Sequence, residues 1–137
     1  MTGVVSGDSV LFVDDEAPVR ILFRRAFAAL GIDFEEAEDG NQALAKLERR
    51  RFDAVVIDII MPKREGIETI MEMRKLWPET FIIAMSGGGR IGPEDFLKLA
   101  LMVGADRTLK KPISPTQLID ALASGPPPAS DRAAVSS

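Results

Sequence analysis

The stretch Ala54-Val55-Val56-Ile57-Asp58 is a continuous apolar run that ends in a carboxylate. A short run of this kind suits a strand covered on both faces, as in a parallel sheet with helices on either side. Two similar runs, residues 10–13 and 81–85, lie before and after it in the chain. The three runs together predict the central strands of a parallel sheet.

Helical patterns separate the apolar runs. From Ala17 to Leu30, apolar residues recur with the helical period, and Gly31 ends the pattern. A second helix is predicted to open at Asp39 or Gly40, with arginines at its C-terminal end. The later helices are predicted over residues 64–76, 93–103 and 114–123.

A weaker strand over residues 33–37 and a short last strand over residues 108–110 complete the predicted sheet. The first should be outermost, because its charged side chains would be hard to bury. Five strand-then-helix units therefore alternate along the chain. They predict an α/β fold, a doubly wound five-stranded parallel sheet with helices on both faces and right-handed crossovers.

The length of 137 residues suits one domain. We expect this domain over residues 9–123, a flexible N-terminus over 1–8 and a disordered tail rich in Pro, Ser and Ala over 124–137.

Composition excludes several classes of function. The chain has no histidine and no cysteine, which removes the Ser-His-Asp constellation, thiolate metal sites and a cysteine nucleophile. A net charge of −4 argues against nucleic-acid binding through a basic face. The pattern of a secretory signal is absent, and no apolar run approaches the roughly 20 residues that span a bilayer. We therefore expect a cytoplasmic protein with no membrane partner.

Polar side chains follow four of the predicted strands. Asp14 and Asp15 follow the first, Asp58 the third, Ser86 the fourth and Lys111 the last. Ligands in doubly wound sheets sit outside the carboxyl ends of the strands, so we expect these side chains around one pocket. Clustered carboxylates repel one another, and a divalent cation such as Mg²⁺, which prefers oxygen ligands, relieves that repulsion.

Plainer interpretations exist for some of these residues. Asp14 could cap the first helix, since aspartate favours helix N-termini. Ser86 could simply begin a glycine-rich turn. Lys110 and Lys111 compete, because alternate strand residues point to opposite sides and only one of the two can face the pocket.

The chain resembles the receiver domain of two-component response regulators. The resemblance covers about residues 9–123 and implies the flavodoxin-like (βα)5 receiver fold. It is carried by an ordered set of motifs: Asp14-Asp15, Asp58-Ile59-Ile60-Met61-Pro62 with Gly66, Ser86, and Lys111-Pro112. Because a proline follows it, Lys111 rather than Lys110 matches the family's lysine.

The resemblance implies a role for each of these residues. Asp58 would be the phosphoacceptor, and Ser86 and Lys111 would contact the phosphoryl group. The ligands of Mg²⁺ would be Asp14, Asp15, Asp58 and the backbone carbonyl of Ile60. Pro62 and Gly66 would be structural, and the bond before Pro112 would be cis.

The resemblance also implies partners. A histidine kinase or a histidine phosphotransfer protein would supply the phosphoryl group, and a downstream protein would detect the change in shape. The fourth predicted helix carries more apolar surface than a surface helix needs. Either the helix is deeply packed, or part of the surplus is exposed and forms, with the last strand, a surface for the downstream partner or for a homodimer.

Departures from the family pattern include the residue at position 108 and the loop that follows Ser86. Thr108 stands where receivers usually carry tyrosine or phenylalanine, so the switch residues would be Ser86 and Thr108. Three glycines, residues 87–89, follow Ser86 and predict a mobile loop.

Rival functions remain open at this point. A receiver-like binding module that does not cycle phosphate is compatible with Thr108. A Mg²⁺-dependent aspartyl-phosphate phosphatase fits less well, because such haloacid-dehalogenase-like enzymes carry an Asp-x-Asp pattern after the first strand, whereas this chain has Asp14-Asp15-Glu16. A flavodoxin-like cofactor binder would need a phosphate-cradling loop there. We expect no enzymatic activity beyond self-phosphorylation and self-dephosphorylation.

Overall fold

A computed structural model of the chain describes residues 3–59, 66–87 and 93–127, without the side chains of 93–96. The strands are β1 Ser9–Val13, β2 Asp33–Ala37, β3 Ala54–Asp58, β4 Phe81–Ser86 and β5 Arg107–Lys110. The helices are α1 Ala17–Ala29, α2 Gly40–Arg49, α3 Gly66–Leu76, α4 Pro93–Val103 and α5 Pro115–Ser124. All strands pair in parallel in the order β2-β1-β3-β4-β5. The predicted doubly wound sheet is confirmed.

Both faces of the sheet are buried, as the continuous apolar runs predict. Alternate residues of a strand point to opposite faces, so each central strand contributes to two cores. One core packs strand residues such as Val55 and Ile57 against α2, α3 and α4. The other packs residues such as Phe12 and Val56 against α1 and α5.

Strand β2 lies at an edge of the sheet, as its charged residues predict. Its acidic side chains form ion pairs with basic residues of the flanking helices. Glu36 pairs with Arg20 and Arg24 of α1, while Arg50, just after α2, pairs with Asp33 and Glu35. The paired charges leave this edge unattractive for pairing with another strand.

Helix ends follow local chemistry. The Asp39 carboxylate accepts the Gln42 N–H and begins α2, and Ser114 forms a capping box with Gln117 at the start of α5. Helix α2 ends at Arg49, because Arg50 adopts an extended conformation. Residues 64–65 of the third predicted helix lie outside the described residues.

The segment before β1 contacts the end of α5. Val4 is buried, and its N–H donates to the Leu122 carbonyl at 2.8 Å. The flexibility predicted for residues 1–8 stays a prediction, and residues 128–137 of the predicted tail lie outside the described part of the chain. Among the described residues, no helix combines the length and the apolar character that a bilayer crossing requires.

Candidate functional site

The parallel strands bring predicted site residues together at the C-terminal ends of the strands. Asp58 is the last residue of β3, and Ser86 is the last residue of β4. Asp14 directly follows β1, and Lys111 directly follows β5. Because the strands are parallel, their carboxyl ends point the same way, and the polar side chains that follow them meet.

Lys111 joins the ends of three strands. Its Nζ atom donates to Asp14 Oδ2 at 2.8 Å and to Asp58 Oδ2 at 2.9 Å. The side chains of Asp14 and Asp58 are buried, and that of Lys111 is 19 % exposed. Lys111 therefore faces the acidic residues, which agrees with its choice over Lys110.

Two opposed effects act on the Lys111 ammonium. Burial lowers its pKa, because a charged group loses solvation in the protein. The hydrogen bonds and charges of Asp14 and Asp58 raise the pKa and outweigh burial, so the net pKa lies above the ordinary value of 10.5. The ammonium therefore remains charged throughout the neutral range and compensates part of the acidic charge.

Asp14 is held through both its backbone and its side chain. Its N–H donates to the Ala37 carbonyl at 3.1 Å, and its carbonyl accepts from Arg20 Nη1 at 2.7 Å. Its Oδ1 atom accepts the Glu16 N–H at 2.9 Å, while Oδ2 is bound by Lys111. Asp14 is thus not the N-cap of α1, a position that Glu16 occupies without a side-chain hydrogen bond.

Carboxylates cluster at this site in excess of the positive charge. The carboxylate oxygens of Asp14, Asp15 and Glu16 lie within 4.8 Å of one another, and Asp15 and Glu16 are exposed. Glu16 Oε1 is 3.9 Å from Lys111 Nζ. This donor set of hard oxygen atoms fits a divalent metal ion such as Mg²⁺. Sequence reasoning assigned no role to Glu16, although its position next to the aspartate pair was the available signal.

Ser86 adds an unpartnered hydroxyl to the site. Its side chain is completely buried, and its Oγ atom has no hydrogen-bond partner among the described residues. Buried hydroxyls normally find a partner, because an unmade hydrogen bond costs free energy. A phosphoryl oxygen brought to this site would supply an acceptor for it.

Two glycines allow the backbone to approach closely at the site. A Cβ atom on Gly87 would lie 2.1 Å from the Lys111 Cβ, and one on Gly66 would lie 2.3 Å from the Ile59 Cα and 2.6 Å from the Asp58 carbonyl oxygen. No side chain fits at either position without movement of these neighbours. The peptide bond between Lys111 and Pro112 is cis, the isomer that the resemblance implied.

Two of the predicted site residues and part of the predicted loop fall outside the part of the chain that the structure describes, whereas Thr108 falls within it. Ile60 and Pro62, and residues 88–89 of the predicted mobile loop, lie outside the described residues. Thr108 is half-buried on β5 and pairs in register with Ala84 of β4. Its role as a switch residue stays a prediction.

A cavity of about 270 Å³ lies near the N-terminal ends of β3 and β4, away from the candidate site. It is lined by residues near the C-terminal ends of α2 and α3 and the starts of β3 and β4, among them Leu47, Phe52, Trp77 and Thr80. None of the predicted site residues contributes to it.

The chain belongs to the family of response regulator receiver domains, because the sequence model of that family matches residues 10–123. It is 32 % identical over 117 residues to the chemotaxis protein CheY of Thermotoga maritima. The aligned region covers 85 % of this chain and 95 % of that protein. It is also 35 % identical over 115 residues to the phosphate regulon transcriptional regulatory protein PhoB of Pseudomonas aeruginosa. That match covers 82 % of this chain and 49 % of PhoB, so the chain spans about half the length of this relative.

Solved structures agree with this assignment. The chemotaxis response regulator CheY4 of Vibrio cholerae superposes with a TM-score of 0.75 at 30 % identity, covering 87 % of this chain and 97 % of that chain. The receiver domain of the Francisella response regulator 1452 superposes with a TM-score of 0.76 at 31 % identity, covering 85 % of this chain and 93 % of that one. The expected receiver fold of two-component signalling is thereby confirmed.

Proposed function

We propose that this receiver domain accepts a phosphoryl group on Asp58 from a histidine kinase or a histidine phosphotransfer protein, with Mg²⁺ as cofactor. The phosphorylated domain then signals by contact with a downstream protein in the cytoplasm. The observation that carries the proposal is the bridge from Lys111 to Asp14 and Asp58, beside the buried and unpartnered Ser86 hydroxyl.

The transfer is a displacement at phosphorus. A carboxylate oxygen of Asp58 forms the new bond to phosphorus, while the bond from phosphorus to the donor's imidazole nitrogen breaks and the nitrogen keeps the electron pair. The chain contains no histidine, so that imidazole belongs to the partner. In this proposal Lys111 and Ser86 bind oxygens of the transferred group, and the contribution of the protein is positioning and charge compensation.

The carboxylates of Asp14, Asp15 and Asp58 would hold the metal ion, together with the carbonyl of Ile60. A Mg²⁺ ion held there would offset the negative charge of the phosphoryl oxygens. Lys111 alone leaves the acidic cluster with a surplus of negative charge, which repels an incoming phosphoryl group.

The downstream surface is proposed at α4 and β5. On α4, Leu97 and Ala100 are buried, whereas Leu99 is 40 % and Met102 is 63 % exposed. Exposed apolar side chains on a helix that packs against β4 and β5 suit a protein partner or a second copy of the chain.

The test of the proposal is phosphorylation by a small donor. The purified chain is incubated with acetyl phosphate and Mg²⁺, and its intact mass is recorded beside Asp58→Asn. We expect the wild-type chain to gain one phosphoryl group, and Asp58→Asn and an EDTA-treated sample to gain none. Asp33→Asn is the matched control, because Asp33 is an exposed aspartate at the other end of the sheet.

Each failure of this test has its own meaning. A labelled Asp58→Asn protein would show that another residue is the acceptor. An unlabelled wild-type chain would favour the rival function, a binding module that does not cycle phosphate, for which Thr108 at the usual aromatic position is the specific observation. In a separate assay, steady release of product from a phosphate ester would favour the phosphatase alternative.

A further inference from the structure

We propose that Arg20 is a positioning residue for the metal ligands of this site, because it fixes the backbone of the Asp14-Asp15 loop. The inference rests on the proposed function, since it concerns how well the acidic residues bind Mg²⁺. Arg20 lies on α1, and its side chain is only 11 % exposed.

The guanidinium of Arg20 contacts the loop directly. Its Nη1 atom donates to the Asp14 carbonyl at 2.7 Å. That carbonyl belongs to the same planar peptide unit as the Asp15 N–H, so fixing one fixes the orientation of the other. The unit leads into Asp15, whose exposed carboxylate stands beside those of Asp14 and Glu16.

The other side of the guanidinium is anchored to a second strand. Its Nε atom lies 3.2 Å from Glu36 Oε1, and Nη2 lies 3.7 Å from Glu38 Oε1. Arginine presents its donors in a rigid planar fork, so holding Nε fixes the direction of Nη1. Arg20 therefore ties the loop after β1 to the end of β2.

Outer contacts of this kind influence metal affinity, because they orient the ligands that touch the metal. Lys111 fixes the Asp14 side chain, and the Ala37 carbonyl fixes its N–H. The Arg20 contact fixes the remaining polar group, the carbonyl. Without it, the Asp15 carboxylate would have to be oriented at the moment of metal binding, at a cost in affinity.

Arg24 provides a matched control. It lies one helical turn after Arg20, forms an ion pair with the same Glu36 and carries the same charge. Its side chain is 54 % exposed, and no hydrogen bond joins it to the Asp14 carbonyl. A purely electrostatic effect of a cation near Glu36 would therefore be similar for Arg20 and Arg24, whereas a positioning effect belongs to Arg20 alone.

The experiment measures metal affinity and phosphorylation separately. Mn²⁺ is the probe, and the free ion is quantified by electron paramagnetic resonance with the wild type, Arg20→Met, Arg20→Lys and Arg24→Met. We expect Arg20→Met to raise the Kd for Mn²⁺ about tenfold. Arg24→Met should change the Kd by less than about twofold, and Arg20→Lys should give an intermediate value because one ammonium cannot replace the fork.

A second measurement separates binding from transfer. The rate of labelling by acetyl phosphate is followed against Mg²⁺ concentration. For Arg20→Met, the concentration that gives half the maximal rate should rise, while the maximal rate stays close to that of the wild type. A merely structural defect would instead lower the thermal midpoint and the amount of active protein, with no selective change in metal dependence.

The outcomes are distinguishable. Equal changes for Arg20→Met and Arg24→Met, or an unchanged Kd for Arg20→Met, would overturn the inference. If Arg20→Met does not fold, Arg20→Lys is judged by the same criterion, and an unchanged Kd would overturn the inference. If the wild type binds Mn²⁺ and is labelled, and Arg20→Met behaves the same, only the role of Arg20 is disproved. If the wild type neither binds Mn²⁺ nor is labelled, the proposed function is disproved as well.

Discussion

The Nζ atom of Lys111 lies 2.9 Å from Oδ2 of Asp58, although the two residues are 53 positions apart in the chain. The same ammonium binds Asp14, which follows β1, whereas Asp58 ends the neighbouring strand β3. Lys111 thereby separates two buried carboxylates that would otherwise face each other without compensation. The site is consequently also a determinant of stability.

Lys111→Met should destabilise the domain when no metal is present. Removal of the ammonium leaves buried carboxylates without their charged partner, and we expect the free energy of unfolding to fall by roughly 2 kcal/mol in EDTA. Millimolar Mg²⁺ should stabilise this variant more than it stabilises the wild type. Urea denaturation gives both values, with the exposed Lys75 of α3 as control through Lys75→Met. Equal losses in the two variants would argue against the bridge.

The contribution of Lys111 should also disappear at alkaline pH. Its pKa is raised in the folded state, so its stabilisation is complete below the ordinary value of 10.5 and is lost as pH rises through the folded value. The chain has no tyrosine and no cysteine, which leaves lysines as the side chains that titrate in this range. In EDTA, the difference in unfolding free energy between wild type and Lys111→Met should be constant at neutral pH and shrink above 10.5. A difference that persisted unchanged would contradict the charged bridge.

Gly87→Ala should impair phosphorylation because it displaces Lys111. A methyl group at Gly87 would overlap the Lys111 Cβ, an atom close to the backbone that cannot simply rotate away. Displacement of a binding group by about 1 Å costs on the order of 100-fold in rate, so we expect labelling by acetyl phosphate to slow by about 10- to 100-fold.

Gly7→Ala is the control for this experiment. Gly7 lies before β1, at the far end of the sheet, and has a positive φ of 93° with open space around it. Its substitution strains the backbone and lowers stability without touching the site. Slow labelling in both variants would mean that lost stability, and not the position of Lys111, explains the effect.

The sequence was sufficient to predict the fold because the governing signals are local. Continuous apolar runs mark strands buried on both faces, and the charges of residues 33–37 placed β2 at an edge. The residues at the strand ends followed from one topological rule. The C-terminal end of α2 was less well predicted, because Arg50 is extended and pairs with β2 carboxylates instead of continuing the helix. Strand β5 begins one residue earlier than predicted, at Arg107.

Contacts that depend on distances between elements could not be predicted. Glycines 87–89 suggested backbone freedom, whereas the structure shows that Gly87 gives Lys111 room beside β4. Arg20 was one of several basic residues on an amphipathic helix. Its bond to the Asp14 carbonyl depends on how α1 packs against the sheet, which no spacing along the chain reveals.

A final prediction concerns Arg74, which binds the segments that lead into β4 and β5, at the end of the sheet away from the site. Its guanidinium donates to the carbonyls of Gly104, Pro78 and Thr80 and forms an ion pair of 2.9 Å with Asp106, whose side chain is completely buried. Breaking a buried pair by removing one partner is costly, so Arg74→Met should lower the free energy of unfolding by roughly 3 kcal/mol.

Arg50→Met is the comparison, because Arg50 is also an ion-paired arginine, joined to Asp33 and Glu35, but its side chain is 40 % exposed. Exposed ion pairs contribute little, so its loss should be under about 1 kcal/mol. Both values come from urea denaturation under identical conditions. Because Arg74 contacts none of the predicted site residues in the described part of the chain, Arg74→Met should still be labelled on Asp58 wherever it is folded. Equal destabilisation by the two substitutions would show that burial does not set the strength of these pairs.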